Sequence, residues 1–475
     1  MQGASVVIGV AAAGLLAVAQ PARAGGPGML VGATEDAVRS STLTVAKARM
    51  DLVALAGFDA VRITQTWAPG ETEVSKTDAT ILHNVTAAAA LDDIQVLTSV
   101  FAYGSATTPL TDQDQSDFAA YAASLVRSDP EIARVIVGNE PNLNRYWLPQ
   151  FNPDGSDAAA SAYESLLAKT YDALKEANPA VEVIGGAVSP RGGDKPGTGR
   201  DTHSPTVFIQ DLGAAYRASG RTQPIMDAFA FHPYEDNSSI APDAGVHPAP
   251  NTTIALADYG KLVALLGQAF DGTAQAGSTL PIYYDEFGVE TQIPPAKQSL
   301  YTGAEPAATH PVDEATQAAY YRQAIALAFC QPTVRGLFLF HAFDETALTG
   351  WQSGLYYSDE TPKSSLAAVR LAMEEAHRGV IAACPGLALT PKPSVTQSAR
   401  VLTLTCDLDC SYVAELYRLP GKLLVSKRGR ATGGTPTTLP LRVPGTKARY
   451  RLRLSAVAPV NPGPPALRLV AVRPG

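Results

Sequence analysis

Two short stretches carry acids where an acid is costly to place. Residues 134–142 read Arg-Val-Ile-Val-Gly-Asn-Glu-Pro-Asn. The β-branched apolar run is the pattern of a strand buried on both faces. Pro141 cannot continue a central strand, so the strand ends there. The chain thereby carries Glu140 to the tip of a buried strand, with the Asn139 amide beside it. Residues 281–288, Pro-Ile-Tyr-Tyr-Asp-Glu-Phe-Gly, do the same with Glu286, and Asp285 and Glu290 are rival carboxylates nearby. Two carboxyl groups brought to one site can divide acid–base work. One protonates a leaving oxygen while the other attacks carbon or activates water.

The elements that would hold these tips alternate. Apolar runs at 29–33, 59–65, 94–103, 132–140, 181–187, 226–232, 280–286 and 336–343 read as strands. Segments 43–55, 79–91, 111–128, 156–177, 206–219, 254–270, 314–329 and 363–377 have helical spacing. Eight such units over about 350 residues predict parallel strands joined by crossover helices and closed as a (β/α)8 TIM barrel. The barrel is expected over 28–384. Connections from helix to strand are short, as at 56–58, 129–131 and 178–180. Connections from strand to helix are long, as at 188–205, 233–253, 288–313 and 344–362. Insertions therefore collect at the C-terminal ends of the strands, where they would wall in a pocket.

After Cys384 the texture changes. Pro385, Pro391 and Pro393 mark a linker, followed by alternating runs at 400–406, 411–417, 422–426, 438–443, 448–454 and 466–472. This predicts a small all-β sandwich over 385–475. It contains no catalytic constellation.

The 475 residues are 46% hydrophobic and 17% charged, a globular composition. Residues 6–18 form an apolar run of 13, too short to span a bilayer. Ala22-Arg23-Ala24 follows as an A-x-A cleavage pattern, so residues 1–24 read as a signal peptide and the protein as secreted, extracellular or bound to the cell envelope. Four cysteines suit an exported chain. Cys330 and Cys384, at the ends of neighbouring outer helices, are expected to pair, as are Cys406 and Cys410 across a short turn. No metal-binding motif appears, and no cofactor is expected. Charge is uneven: residues 385–475 hold 14 basic and 3 acidic residues, against a net charge of −8 for the whole. Such a tail suits contact with an anionic wall or polymer. It has no nucleic-acid-binding motif.

Asn139-Glu140-Pro141 at the fourth strand, His232-Pro233-Tyr234 after the sixth and Glu286-Phe287-Gly288 at the seventh resemble clan A of the glycoside hydrolases, families 39 and 5 in particular, over residues 28–380. The resemblance implies a retaining mechanism with Glu140 as acid/base and Glu286 as nucleophile. It favours Glu286 over Asp285 and Glu290. It further implies that Asn139 bonds the sugar 2-hydroxyl, that Arg62 near the end of the second strand orients a carboxylate, that Tyr234 bonds the nucleophile and that His232 meets a sugar hydroxyl. The clan usually has a Trp at the end of the eighth strand. Here residues 340–343 read Phe-His-Ala-Phe, and Trp351 in the next loop is expected to take that place. Trp67, Tyr103 and Trp147 are further candidates for a wall on which sugar rings stack. A non-catalytic carbohydrate-binding or wall-associated barrel is the alternative, and a transglycosylase a third. The presence of both glutamates favours the hydrolase. Sugar identity and linkage are not written in these motifs.

Overall fold

In the computed structural model, residues 25–445 and 448–474 are described, and the expected leader, 1–24, lies outside the described residues. Eight parallel strands close on themselves: β1 (Leu30–Thr34), β2 (Ala60–Trp67), β3 (Gln95–Ala102), β4 (Arg134–Val137), β5 (Glu182–Val188), β6 (Ala228–Phe231), β7 (Ile282–Phe287) and β8 (Val334–Phe340). β1 pairs with β2 on one side and β8 on the other, with Gly32 opposite Ala60 and Phe338. Each strand is followed by a helix: α1 (Leu43–Ala56), α2 (Lys76–Ala90), α3 (Asp112–Ser128), α4 (Ala159–Ala177), α5 (Pro205–Ala218), α6 (Tyr259–Phe270), α7 (Glu314–Phe329) and α8 (Leu366–His377).

Strand residues facing inward, such as Ile136, Ile184, Tyr283 and Phe338, fill the barrel interior. Their outward neighbours, such as Val135 and Val137, pack under the helices. Helix starts are set by local chemistry. Ser75, Thr111, Ser204 and Asp313 each accept a first-turn N–H, which satisfies a donor the helix cannot. The long connections fall where the pattern placed them: after Val188, Phe231, Phe287 and Phe340, all at the C-terminal mouth.

The tail forms two antiparallel sheets from β9 (Ser394–Ser398), β10 (Val401–Thr405), β11 (Cys410–Arg418), β12 (Lys422–Ala431), β13 (Thr437–Thr438), β14 (Tyr450–Val457) and β15 (Ala466–Val472). One sheet runs β13-β10-β9 and the other β12-β11-β14-β15. Leu402, Leu404, Leu416, Leu452 and Leu454 are buried in their shared core. Two details differ from the sequence pattern. The strand expected at 438–443 shrinks to two residues, because Pro440 and Pro444 lack the N–H that pairing needs. A strand at Ser394–Ser398 was not expected, because its mostly polar sequence hides the alternation.

Both expected disulfides form, with Cα separations of 5.1 Å for Cys330–Cys384 and 6.7 Å for Cys406–Cys410. Their loops differ, with separations of 54 and 4 residues. Loop entropy then predicts a loss of roughly 4 kcal/mol on opening the first and roughly 2 kcal/mol on opening the second. Urea melts of the paired Cys→Ser variants measure this. Equal losses would contradict the loop argument.

Candidate active site

Glu140 reaches the barrel mouth by a route the strand pattern did not foresee. β4 stops at Val137, three residues early. Gly138 adopts φ +91°, and a Cβ there would lie 2.9 Å from the Tyr163 ring. Tyr163 fills that space and donates to the Val137 carbonyl at 2.6 Å. Glu140 itself has φ +40°, a left-handed conformation that costs a non-glycine residue about 1–3 kcal/mol and persists only where the surroundings impose it. The Glu140 N–H donates to the Ala187 carbonyl at 2.7 Å, which ties the turn to β5. Glu286 lies within β7 as expected. The two side chains are 15% and 12% exposed, so both meet the cavity from a largely buried base.

Arg62 is the hub beneath them. It is the third residue of β2 and not near its end, because pairing with β3 continues to Trp67. Its Nη1 donates to Glu286 Oε1 at 2.7 Å, and Nη2 donates to Ser99 Oγ and Asn139 Oδ1, both at 3.1 Å. Its Nε lies 3.2 Å from Asp285 Oδ2, at an angle outside a hydrogen bond. Tyr234 Oη donates to Glu286 Oε2 at 3.1 Å. His232 Nδ1 is 3.1 Å from Glu140 Oε1 and 3.4 Å from Glu286 Oε2, and its Nε2 is 3.4 Å from Asp285 Oδ1. Three carboxylates thus enclose two cationic side chains.

The electrostatics follow from that count. Burial alone would push the His232 imidazole down, but the Glu286, Asp285 and Glu140 carboxylates outweigh it and hold it up at about 10. Burial pushes the Tyr234 phenol well up, and Glu286 and Glu140 add to this, so it stays a donor. His232 is 0% exposed, with its nitrogens turned to carboxylates. It therefore positions those groups and does not reach a sugar hydroxyl, contrary to expectation. Asp285 is also 0% exposed and lies below the cavity, whereas Glu286 lines it.

A cavity of about 690 Å³ opens above Glu140 and Glu286. Trp351 stands in its wall, with ring centroids 4.9 Å from Tyr234 and 5.3 Å from Phe340. The loop indole thus lies beside the last residue of β8. Gly288 makes room for it: a Cβ there would sit 3.2 Å from Trp351 Cζ3 and 2.9 Å from the Phe340 carbonyl. The other expected wall aromatics are elsewhere. Trp67 is 1% exposed, donates Nε1–H to the Glu71 carbonyl at 2.8 Å and packs on Phe118 in the core. Trp147 is buried edge-on to Tyr163 and borders only a small cavity behind Asn139. Tyr103 is 78% exposed and outside the lining of the main cavity. Position after a strand gives the end of the barrel but not the side of the loop. Tyr146, which no sequence signal marked, does line the cavity, and burial beside Glu140 and Glu286 pushes its phenol up to about 12. Among the described residues no group has a metal-holding arrangement, and no helix is long and apolar enough to cross a membrane.

The His232 shift has a consequence for stability. Its folded value lies above the ordinary ~6.5 of an unfolded chain, so its contribution is complete below that pH. The contribution is lost as pH rises toward about 10. Nitrogen NMR of the ring should show an imidazolium at neutral pH, and Asp285→Asn should lower its titration point, because a facing negative charge is gone. A ring in wild type that titrates near 6.5 would contradict this arrangement.

No family model and no curated protein sequence matches the chain. Solved structures match in fold. A family 5 (subfamily 18) glycoside hydrolase from Streptomyces cattleya, solved with Manβ1-4GlcNAc, is 17% identical with a TM-score of 0.51, covering 76% of this chain and 84% of its own. A family 39 enzyme from Xanthomonas axonopodis pv. citri is 14% identical, with a TM-score of 0.45 and coverage of 89% and 94%. β-Glucuronidase 2 of Bacteroides uniformis is 13% identical with a TM-score of 0.45; the match covers 94% of this chain but only 45% of that protein, so the chain spans under half its length. The chain shares with the family 5 structure the closed (β/α)8 barrel fold.

Proposed function

We propose that the protein is a secreted retaining glycoside hydrolase, with Glu140 as acid/base and Glu286 as nucleophile. One observation carries the reading: His232 Nδ1 is 3.1 Å from one carboxylate and 3.4 Å from the other. Those two oxygens can be no further apart than the two distances laid end to end. Glu140 and Glu286 thus face one shared centre, the arrangement that the ~5–5.5 Å carboxyl separation of a retaining enzyme needs. Glu286 accepts from Arg62 and Tyr234 on separate oxygens, which suits a fixed anionic nucleophile. Glu140 faces the cavity with His232 on one oxygen, which leaves the other for a leaving group. Arg62 donates to the Asn139 carbonyl oxygen, and the NH2 end of that amide is the donor this reading assigns to a 2-hydroxyl. Trp351 is the surface on which the ring stacks.

Residues 385–475 are in this reading an accessory domain that contacts an anionic wall polymer. Arg430, Arg428, Arg451 and Arg453 are exposed on one face of the β12-β11-β14-β15 sheet, opposite Ser411 and Val413 or Tyr417 and Glu415. Proton NMR of the first-formed sugar tests the mechanism. Retained configuration is expected, and inverted configuration would remove Glu286 from the nucleophile role. No release from a broad panel of aryl glycosides would favour a binding protein instead.

A further inference from the structure

We infer that Lys363, buried just before α8, is a positioning residue for Trp351: with Asp344 it ties the β7 and β8 loops together at the residue next to the indole. This rests on the reading of Trp351 as the surface on which a sugar ring stacks. The two side chains are 0% exposed, and their charged atoms are 2.8 Å apart. Neither lines the cavity, so neither touches a bound sugar. A buried ion pair adds little net stability, because losing water from both charges offsets their attraction unless further hydrogen bonds complete it. Its further bonds therefore show what it holds.

Lys363 Nζ donates to Asp344 Oδ1 at 2.8 Å, to Thr291 Oγ1 at 2.7 Å and to the Gln352 carbonyl at 2.9 Å, which uses all three of its N–H donors. Asp344 Oδ1 also accepts from the Gly354 N–H at 2.9 Å, and Oδ2 accepts from Tyr301 Oη at 2.8 Å. Thr291 and Tyr301 belong to the long β7 loop, and Asp344, Gln352 and Gly354 to the β8 loop. The Gln352 carbonyl is where the two loops meet, since the Thr291 N–H reaches it as well, at 3.1 Å. Loops without regular pairing need such partners for their buried backbone groups.

Trp351 immediately precedes Gln352, and Glu345 immediately follows Asp344. Glu345 Oε2 accepts the backbone N–H of Trp351 at 2.7 Å, and the Glu345 N–H donates to the Trp351 carbonyl at 3.0 Å. The turn over 344–354 is therefore closed twice, by Asp344 at its ends and by Glu345 within it. Trp351 lies on this turn and lines the cavity, 4.9 Å from the Tyr234 ring. A sugar gains from an aromatic face only when the plane of that face is held in place. An anchor on the backbone next to the indole thus sets how well the wall is prepared for its ligand. Lys363 is the charged part of that anchor, and it comes from outside the turn.

The test measures KM and kcat of the full chain on an aryl glycoside. Trp351→Ala is expected to raise KM about tenfold, the worth of one aromatic contact, and Lys363→Met about fivefold, with kcat within about twofold in both. Lys363→Met added to Trp351→Ala should raise KM no further, because both act through the same ring. A merely structural lysine would lower the melting temperature and leave the KM of the folded protein unchanged. Lys363→Met strands the Asp344 charge. Tyr301→Phe, which removes the neutral donor on Asp344 Oδ2 but leaves the ion pair, is the milder variant and should raise KM about twofold. It decides the matter if Lys363→Met fails to fold. Acrylamide quenching of the Trp351 emission, taken by difference from Trp351→Phe, reads the indole without any sugar. It should be stronger in Lys363→Met and, to a lesser degree, in Tyr301→Phe. Unchanged KM or unchanged quenching in the folded variants, or additive effects of Lys363→Met and Trp351→Ala, would overturn the inference. Stronger quenching in a protein that cleaves no glycoside would support the anchor while sinking the hydrolase reading.

Discussion

Glu286→Ala should release no measurable sugar, a fall of at least about 10⁴-fold in kcat, because no covalent glycosyl-enzyme can form without that oxygen. The variant should still fold. Arg62 loses the 2.7 Å partner on Nη1 but keeps Asp285 beside Nε and Ser99 and Asn139 on Nη2. The charge count beneath the cavity becomes one anion poorer, which His232 can absorb by giving up its proton. Glu286→Gln, which keeps the shape but not the charge, should be as inactive. Release of 4-nitrophenolate from the best aryl substrate, with a thermal melt alongside, gives the answer. Activity within about tenfold of wild type in a folded Glu286→Gln would assign the nucleophile to another group. Glu290 would then be the next candidate, since it lines the same cavity.

Glu140→Ala should give a different failure, and the difference separates the two roles. Substrates with good leaving groups need little protonation, so the first step survives. Hydrolysis of the intermediate then stalls, because no base activates water. The expected record is a burst of aryl alcohol followed by a slow steady state, lower by about 10²–10⁴-fold. Azide attacks the intermediate without needing a base and should restore turnover in this variant, whereas any azide product from Glu286→Ala would come from a single direct displacement and be inverted. The glycosyl azide from Glu140→Ala should keep the configuration of the substrate. An azide product of opposite configuration would place the nucleophile at Glu140. Removal of this side chain also deletes the anion 3.1 Å from His232 Nδ1, so the ring should titrate lower than in wild type. That shift is a structural readout independent of turnover.

How much of this was legible beforehand differs from element to element. The β-branched run ending in Asn-Glu-Pro and the run ending in Glu-Phe-Gly are local signals. Each reports burial along one strand and the residue at its end, so the eight-unit barrel and the two glutamates could be read directly. The long loops could be assigned to one face because strand and helix order alone decides which end they leave from. The Cys330–Cys384 pair followed from the same order, and the Cys406–Cys410 pair from its short spacing.

What remained was decided by contacts between distant segments. Trp67, Tyr103, Trp147 and Trp351 all follow or end strands, yet only Trp351 enters the main cavity, because facing depends on what each loop packs against. Gly288 admits that indole, and Phe118 and Tyr163 hold two of the others away. Asp285 looked like a rival nucleophile in a one-dimensional pattern. In the folded barrel it is the buried counter-charge of Arg62 and His232, residues contributed by β2 and the end of β6. His232 looked like a sugar contact, and its role as a buried cation appears only when three carboxylates converge on it. Periodicity records the environment of one element at a time. Charge and shape in the mouth are sums over five loops, and only closure of the barrel brings those terms together.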